Sequence, residues 1–299
     1  MNDTKSPANF MAGAFMIIGA AVLWGTSGTT QALAPEGATP MVVAALRQGI
    51  GALTLIAFAL SRGKGAQIIK LPPVTTILTG LFAFGYHLSF FKAATLTGVG
   101  LASIISVGIA PAVAGLLSFL MQKEKPLKNW YLCTLLAVGG AAILISQGGT
   151  LYVNTTGVLF ALVAGVAYAT FTVLLSMLIR NHDADAAVGG SYAVGALVAI
   201  PVLIMGDTAW ITASATGMAV ALYLGVVITG GAYILYGNGL RSVTAPTAVT
   251  LALAEPLTAF VLGVVVLGEK LGTTSIVGVA LLFGALAALT LGHSKRAKS

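Results

Sequence analysis

Charge is scarce in this sequence. Lys, Arg, Asp and Glu make up 8% of its 299 residues, where a soluble domain carries roughly 25%, so no water-facing surface can be built from it. That excludes a soluble globular enzyme, a disordered chain and a nucleic-acid binder, each of which needs more charge to face water or phosphate. Cysteine is scarcer still: Cys133 is alone, which excludes an intrachain disulfide and a thiolate cluster of zinc spacing, and no metal or other cofactor is expected. A G-x-x-x-x-G-K-[ST] loop is also missing, and the connecting segments are too short for a cytosolic ATPase domain, so ATP does not drive this protein directly.

What the chain has in abundance is apolar sequence, 58% hydrophobic residues and a further 37 glycines. A helix crosses the hydrocarbon with about 20 mostly apolar residues, and ten such runs are predicted, over 10–30, 40–61, 73–93, 98–121, 128–147, 156–180, 187–206, 216–239, 246–267 and 272–292. The first resembles a signal peptide, with Ala32-Leu33-Ala34 as a cleavage site, but it exceeds the usual length of about 7 to 15 apolar residues and Pro35 follows the tripeptide; it is expected to stay as a membrane helix. The net charge of +7 reads as topology. With the N-terminus inside, Lys5, Arg62, Lys64, Lys70, Lys123, Lys125, Lys128, Arg180, Arg241, Lys295, Arg296 and Lys298 share one side, against Lys92 and Lys270 on the other. The positive-inside rule then puts both termini in the cytoplasm.

The chain also repeats itself. Pro111 precedes Glu124-Lys125 by the same spacing as Pro256 precedes Glu269-Lys270. A similar offset pairs Gly139 with Gly284, Trp24 with Tyr168, His87 with Tyr233 and Phe90 with Tyr236. Each copy has five spans, an odd number, so the second enters the membrane from the opposite side. Such inverted repeats are a signature of secondary transporters, in which two similar halves exchange conformations around a central site. The expected fold is therefore an all-α integral membrane protein of ten transmembrane helices, arranged as two inverted five-helix repeats around a central cavity. The boundaries are a tail 1–9, a first repeat 10–147, an external linker 148–155, a second repeat 156–292 and a basic tail 293–299.

Glu255 is the carboxylate closest to the middle of a span, directly before Pro256, where the missing amide permits a kink. It can hold a substrate ammonium or carry a coupling proton, or, protonated, fix the kink and touch no ligand. His87 shares a helical face with Phe90 and Phe91; its imidazole either donates to a substrate carboxylate or is satisfied by a neighbouring carbonyl. Arg47, inside the second span, is read as snorkelling to the outer interface, and Lys92 as an interface anchor. Glu124 and Glu269 suit solvated turns or salt bridges. Trp24, Tyr86, Tyr168, Tyr192, Tyr233 and Tyr236 lie within spans, several deeper than the interfacial belts, as pocket walls or as packing between helices. Ser103, Ser106, Asn238 and Thr250 are polar groups for the pathway or for their own helices. Gly139-Gly140 and Gly284 mark the fifth and tenth spans as closely packed scaffold, leaving the third, fourth, eighth and ninth to surround the pathway.

Tyr86-His87-Leu88-Ser89-Phe90-Phe91, Thr97-Gly98-Val99-Gly100, Ala110-Pro111 and Glu124-Lys125-Pro126, with Leu253-Ala254-Glu255-Pro256 and Leu267-Gly268-Glu269-Lys270-Leu271 in the second copy, resemble the EamA repeat of the drug/metabolite transporter superfamily. Within it, the chain looks most like YddG-type amino-acid exporters. The resemblance covers nearly the whole chain. It implies an exporter of small metabolites in a bacterial inner membrane, not an enzyme, with a small-molecule substrate and membrane lipids as partners, no nucleic acid, and a monomeric or homodimeric state. Drugs or other hydrophobic metabolites are the alternative cargo, and a channel, an intramembrane enzyme, for which only Glu255 and His87 are on offer, or a membrane scaffold the competing classes. For a zwitterionic amino acid, Glu255 or freed carbonyls accept from the ammonium, His87, Tyr233, Ser106 and Asn238 donate, and Trp24, Tyr86, Phe90, Tyr168 and Tyr236 form the pocket, with Pro111 and Pro256 as gating kinks. Ala110 stands where the second copy has Glu255, so the halves are not expected to bind ligand symmetrically.

Overall fold

Inside hydrocarbon every backbone amide and carbonyl needs a partner within the protein, which leaves helices for a chain this apolar. A computed structural model describes residues 7–126, 128–146, 154–267 and 273–296. Among them are ten spans: α1 (Ala8–Gln31), α2 (Pro40–Ser61), α3 (Pro73–Thr97), α4 (Val99–Gln122), α5 (Lys128–Ser146), α6 (Thr155–Asn181), α7 (Ala184–Met205), α8 (Ala215–Leu240), α9 (Ala245–Val266) and α10 (Thr274–Leu291). The ten runs expected from hydropathy are these ten helices. Glu269, Lys270 and the linker 148–153 lie outside the described residues.

Local chemistry explains where the helices start. Pro40 and Pro73 occupy first-turn positions of α2 and α3, where a missing amide costs nothing. Asn154, Asp183 and Ser214 cap α6, α7 and α8, their side chains accepting from the amides of Gly157, Asp185 and Gly217. Gly98 alone joins α3 to α4, at φ 81° and ψ 152°, a conformation open in practice only to glycine.

The packing is symmetric. α3 lies along α6 and α1 along α8; α4 packs on α6 and α9 on α1; α3 touches α7 and α8 touches α2. Each of these pairs becomes the next when one repeat is exchanged for the other, while α2–α7 and α5–α10 map onto themselves. This is an inverted repeat about a pseudo-twofold axis. α5 and α10 form the expected close-packed scaffold, through Gly140 of the expected glycines and Gly278, but not through Gly139 or Gly284. A Cβ on Gly140 would stand 2.7 Å from the Leu282 amide and 2.8 Å from the Gly278 carbonyl, whereas Gly139 and Gly284 face open space.

Three spans are irregular. α1 is interrupted between Gly25 and Ser27, α9 between Leu251 and Ala254, and α8 carries a π-helical segment, Tyr223–Gly231. α4 runs unbroken through Pro111. The repeats are thus alike in packing and unlike at their centres.

Candidate functional site

The two breaks and the two centres of the repeats meet at one cavity of about 280 Å³. α1, α2, α3 and α4 of the first repeat and α6, α8 and α9 of the second contribute to its walls. The cavity is therefore lined by α1, α2 and α6 as well as by the four helices expected to surround the pathway. Its lining runs from Tyr233 and Val249, in the parts of α8 and α9 nearer the basic loops, to Gln31 and Val99 at the opposite end.

Trp24, Tyr86, His87, Phe90, Ser106, Tyr168, Tyr233 and Glu255 all line it, with Pro256 beside Glu255. Glu255 lies in the first turn of the half of α9 that follows the break, where a helix N-terminus favours negative charge. Gly25 lets α1 close on it: a Cβ there would stand 2.5 Å from Thr258 Cβ and 2.7 Å from the Glu255 carbonyl. The aromatic wall has two groups of rings, with centroids 4.9 Å apart for Trp24 and Tyr233 in one and 5.4 Å for Tyr86 and Tyr168 in the other. Trp24 is 6% exposed and its indole N–H has no hydrogen-bond partner among the described residues.

Three expected site residues sit elsewhere. Tyr236 is fully buried behind the wall, its hydroxyl 3.1 Å from Thr172 Oγ1 and 3.3 Å from Tyr168 Oη; it closes the floor. Asn238, near the end of α8, turns towards α7 and donates to Asp185 Oδ1 (3.0 Å) and to the Ile234 carbonyl (2.9 Å). Pro111 is buried inside α4, with only its neighbour Ala110 reaching the cavity. Ser106 reaches it too, but its hydroxyl lies 2.8 Å from the Ala102 carbonyl and 2.9 Å from the Ala161 carbonyl. One proton serves both, so it ties α4 to α6. Among residues outside that set, Ser103 lines the cavity, Tyr192 packs 4.5 Å behind Tyr233, and Thr250 is bonded to Trp130 and Thr134 on α5.

Arg47 is the main correction. It does not snorkel: it is half-buried on the cavity wall, and its Nε donates to Thr229 Oγ1 at 3.2 Å. The snorkelling reading rested on its place about one-third of the way along α2. Its inward partner is on α8, 182 residues later, and no local signal in the sequence joins them. The cavity thus holds a guanidinium and a carboxylate, yet Arg47 and Glu255 are not among the ion pairs of the described residues.

Those ion pairs lie at the basic end, below the cavity. Arg62 meets Asp185 at 3.3 Å, Lys64 meets Asp183 at 3.5 Å, and Arg180 pairs with Glu124. Each joins the first repeat to the second. Glu124 is accordingly one of the salt-bridged residues anticipated for the loops.

The architecture recurs in known proteins. A solved structure superposes with a TM-score of 0.80 at 22% identity, over 96% of this chain and 99% of that one, and so shares the fold. The uncharacterized transporter YwfM of Bacillus subtilis is 36% identical over 283 residues, 94% of each chain. The uncharacterized inner membrane transporter YedA of Escherichia coli strain K12 is 25% identical over 281 residues, 91% of this chain and 88% of that protein. The family model described as the EamA-like transporter family matches twice, over residues 11–146 and 155–291, each match spanning five helices around the shared cavity. The chain belongs to the EamA-like transporter family and is a transporter rather than an enzyme.

Proposed function

We propose that this transporter is a secondary exporter of amino acids, neutral and aromatic ones first, working by alternating access in an inner membrane with both termini in the cytoplasm, as a monomer or homodimer. The observation that carries the reading is the pairing of unlike groups on one cavity: the Glu255 carboxylate and the Arg47 guanidinium, not bonded to each other, with aromatic rings on the same walls. Burying either charge of a zwitterion unpaired costs several kcal/mol. Glu255 answers the ammonium, Arg47 and the His87 imidazole answer the carboxylate, and Trp24, Tyr86, Phe90, Tyr168 and Tyr233 receive the side chain.

Alternating access has support of its own. The cavity extends towards one end while the other is held by three ion pairs between the repeats. The excess of Lys and Arg there favours the cytoplasm for the closed end, and the relatives named as inner membrane transporters favour that membrane. Pro256 adjoins the break in α9 and Pro111 sits at the matching place in α4, as hinges for the rocking of the halves.

The test is counterflow of radiolabelled amino acids in liposomes holding the purified protein. Saturable flux with counterflow is expected, with Glu255→Gln and His87→Ala each lowering it at least severalfold at normal membrane expression. Decarboxylated and N-acetylated analogues should compete poorly. Normal transport by both variants, with analogues competing as well as the parent amino acid, would replace this reading with a pathway for drugs or other hydrophobic metabolites. Flux without saturation or counterflow would point to a channel.

A further inference from the structure

Thr229 is 1% exposed on the π-helical segment of α8. Its hydroxyl donates to the Leu224 carbonyl at 2.8 Å, five residues back, and accepts from Arg47 Nε. Threonines elsewhere in the spans, such as Thr54, Thr79, Thr170 and Thr290, bond the carbonyl four residues back, the reach that an α-helix allows. The five-residue reach belongs to the π register, and π segments concentrate at functional positions. The register is locked from outside as well. A Cβ on Gly51 of α2 would stand 2.7 Å from Thr229 Cβ, and one on Gly230 would stand 2.9 Å from Thr54 Cβ, so each helix seats a threonine of the other against a glycine.

This geometry acts on the guanidinium. With Nε engaged, the plane of the Arg47 fork is fixed, and its two terminal nitrogens have no hydrogen-bond or ion-pair partner among the described residues. They form the end of the fork that takes a carboxylate by two parallel bonds. We propose that Thr229, held by the π-helical segment Tyr223–Gly231, is the positioning residue that presents Arg47 to the carboxylate of the substrate, so that preference for a carboxylate depends on a side chain that does not touch it. The proposal rests on the amino-acid reading and adds to it how the anionic end is recognised.

The experiment uses the full chain in liposomes, with L-phenylalanine counterflow as the signal and phenethylamine, which lacks the carboxylate, as competitor. In Thr229→Val, which keeps the shape and loses the hydroxyl, KM for phenylalanine should rise about tenfold while half-inhibition by phenethylamine stays within twofold. Thr229→Ser should return KM to within about threefold of the original. Arg47→Gln should lose the same preference, and the double variant with Thr229→Val should be no worse than Arg47→Gln alone. The positioning role is overturned if Thr229→Val keeps the preference, if it weakens both compounds alike, or if serine does not restore it. Should Arg47→Gln also keep the preference, or the unaltered protein show none, the zwitterion site itself is wrong. Loss in Arg47→Gln with none in Thr229→Val removes the positioning role and leaves the amino-acid reading standing.

Discussion

Polar side chains on one cavity differ in whether their protons are free to act. The Ser106 hydroxyl donates its hydrogen bond to helix carbonyls, so Ser106→Ala should lower stability by about 1 kcal/mol and leave phenylalanine KM within twofold. A larger rise in KM would mean that the hydroxyl turns towards the ligand. Asn238 is a candidate from sequence because it is a polar group on the helix preceding Pro256, and Arg47 is set aside because its long stem could reach the interface. Both readings failed for the same reason. A helix that is apolar all round carries no sequence signal of which face points inward, and the deciding partners, Asp185 for Asn238 and Thr229 for Arg47, are 53 and 182 residues away. His87, Glu255 and, among the aromatic residues, Trp24, Tyr86, Phe90, Tyr168 and Tyr233 were legible as cavity residues because their cost or depth in the membrane marks them without reference to a face.

For whole helices, the lengths and order were legible from hydropathy and proline alone, since the bilayer fixes the length of a span. The irregularities were not. Pro256 and Pro111 occupy equivalent places, yet only α9 is interrupted nearby, and α8 offers nothing but a glycine-rich stretch as a sign of its π register. Replacing Pro256 with alanine should slow exchange more than it weakens equilibrium binding, and more than the same change at Pro111. Equal losses of both would mean that the proline shapes the site. Gly25 provides a separate check on the α1–α9 contact. A methyl there meets backbone, so Gly25→Ala should cost about 1–3 kcal/mol and reduce flux, while Gly139→Ala, facing open space, should do neither. Thermal unfolding in detergent and counterflow read the two variants side by side.

Seen whole, the molecule has symmetric packing and asymmetric fastening. Exchange of the repeats maps the main helix contacts onto themselves, but the ion pairs of the described residues all lie at the basic end. Combining Arg62→Ala with Asp185→Asn should loosen that end. A cysteine placed at Thr172, beneath Tyr236, in a Cys133-free background should then react severalfold faster with an impermeant thiol reagent applied from the basic side. An unchanged rate would mean that the tyrosine floor alone keeps the end shut. Partly exposed pairs of this kind contribute about 0–1 kcal/mol each. Their field is screened over about 10 Å in 0.1 M salt and about 3 Å in 1 M salt. Ionic strength is therefore felt differently on the two faces: concentrated salt at the basic face weakens these pairs and shifts the balance of conformations, and the same salt at the other face meets no such pair among the described residues. In a vesicle, a gradient of an inert electrolyte would rectify the carrier, speeding one half of its cycle with no change in cargo or driving force.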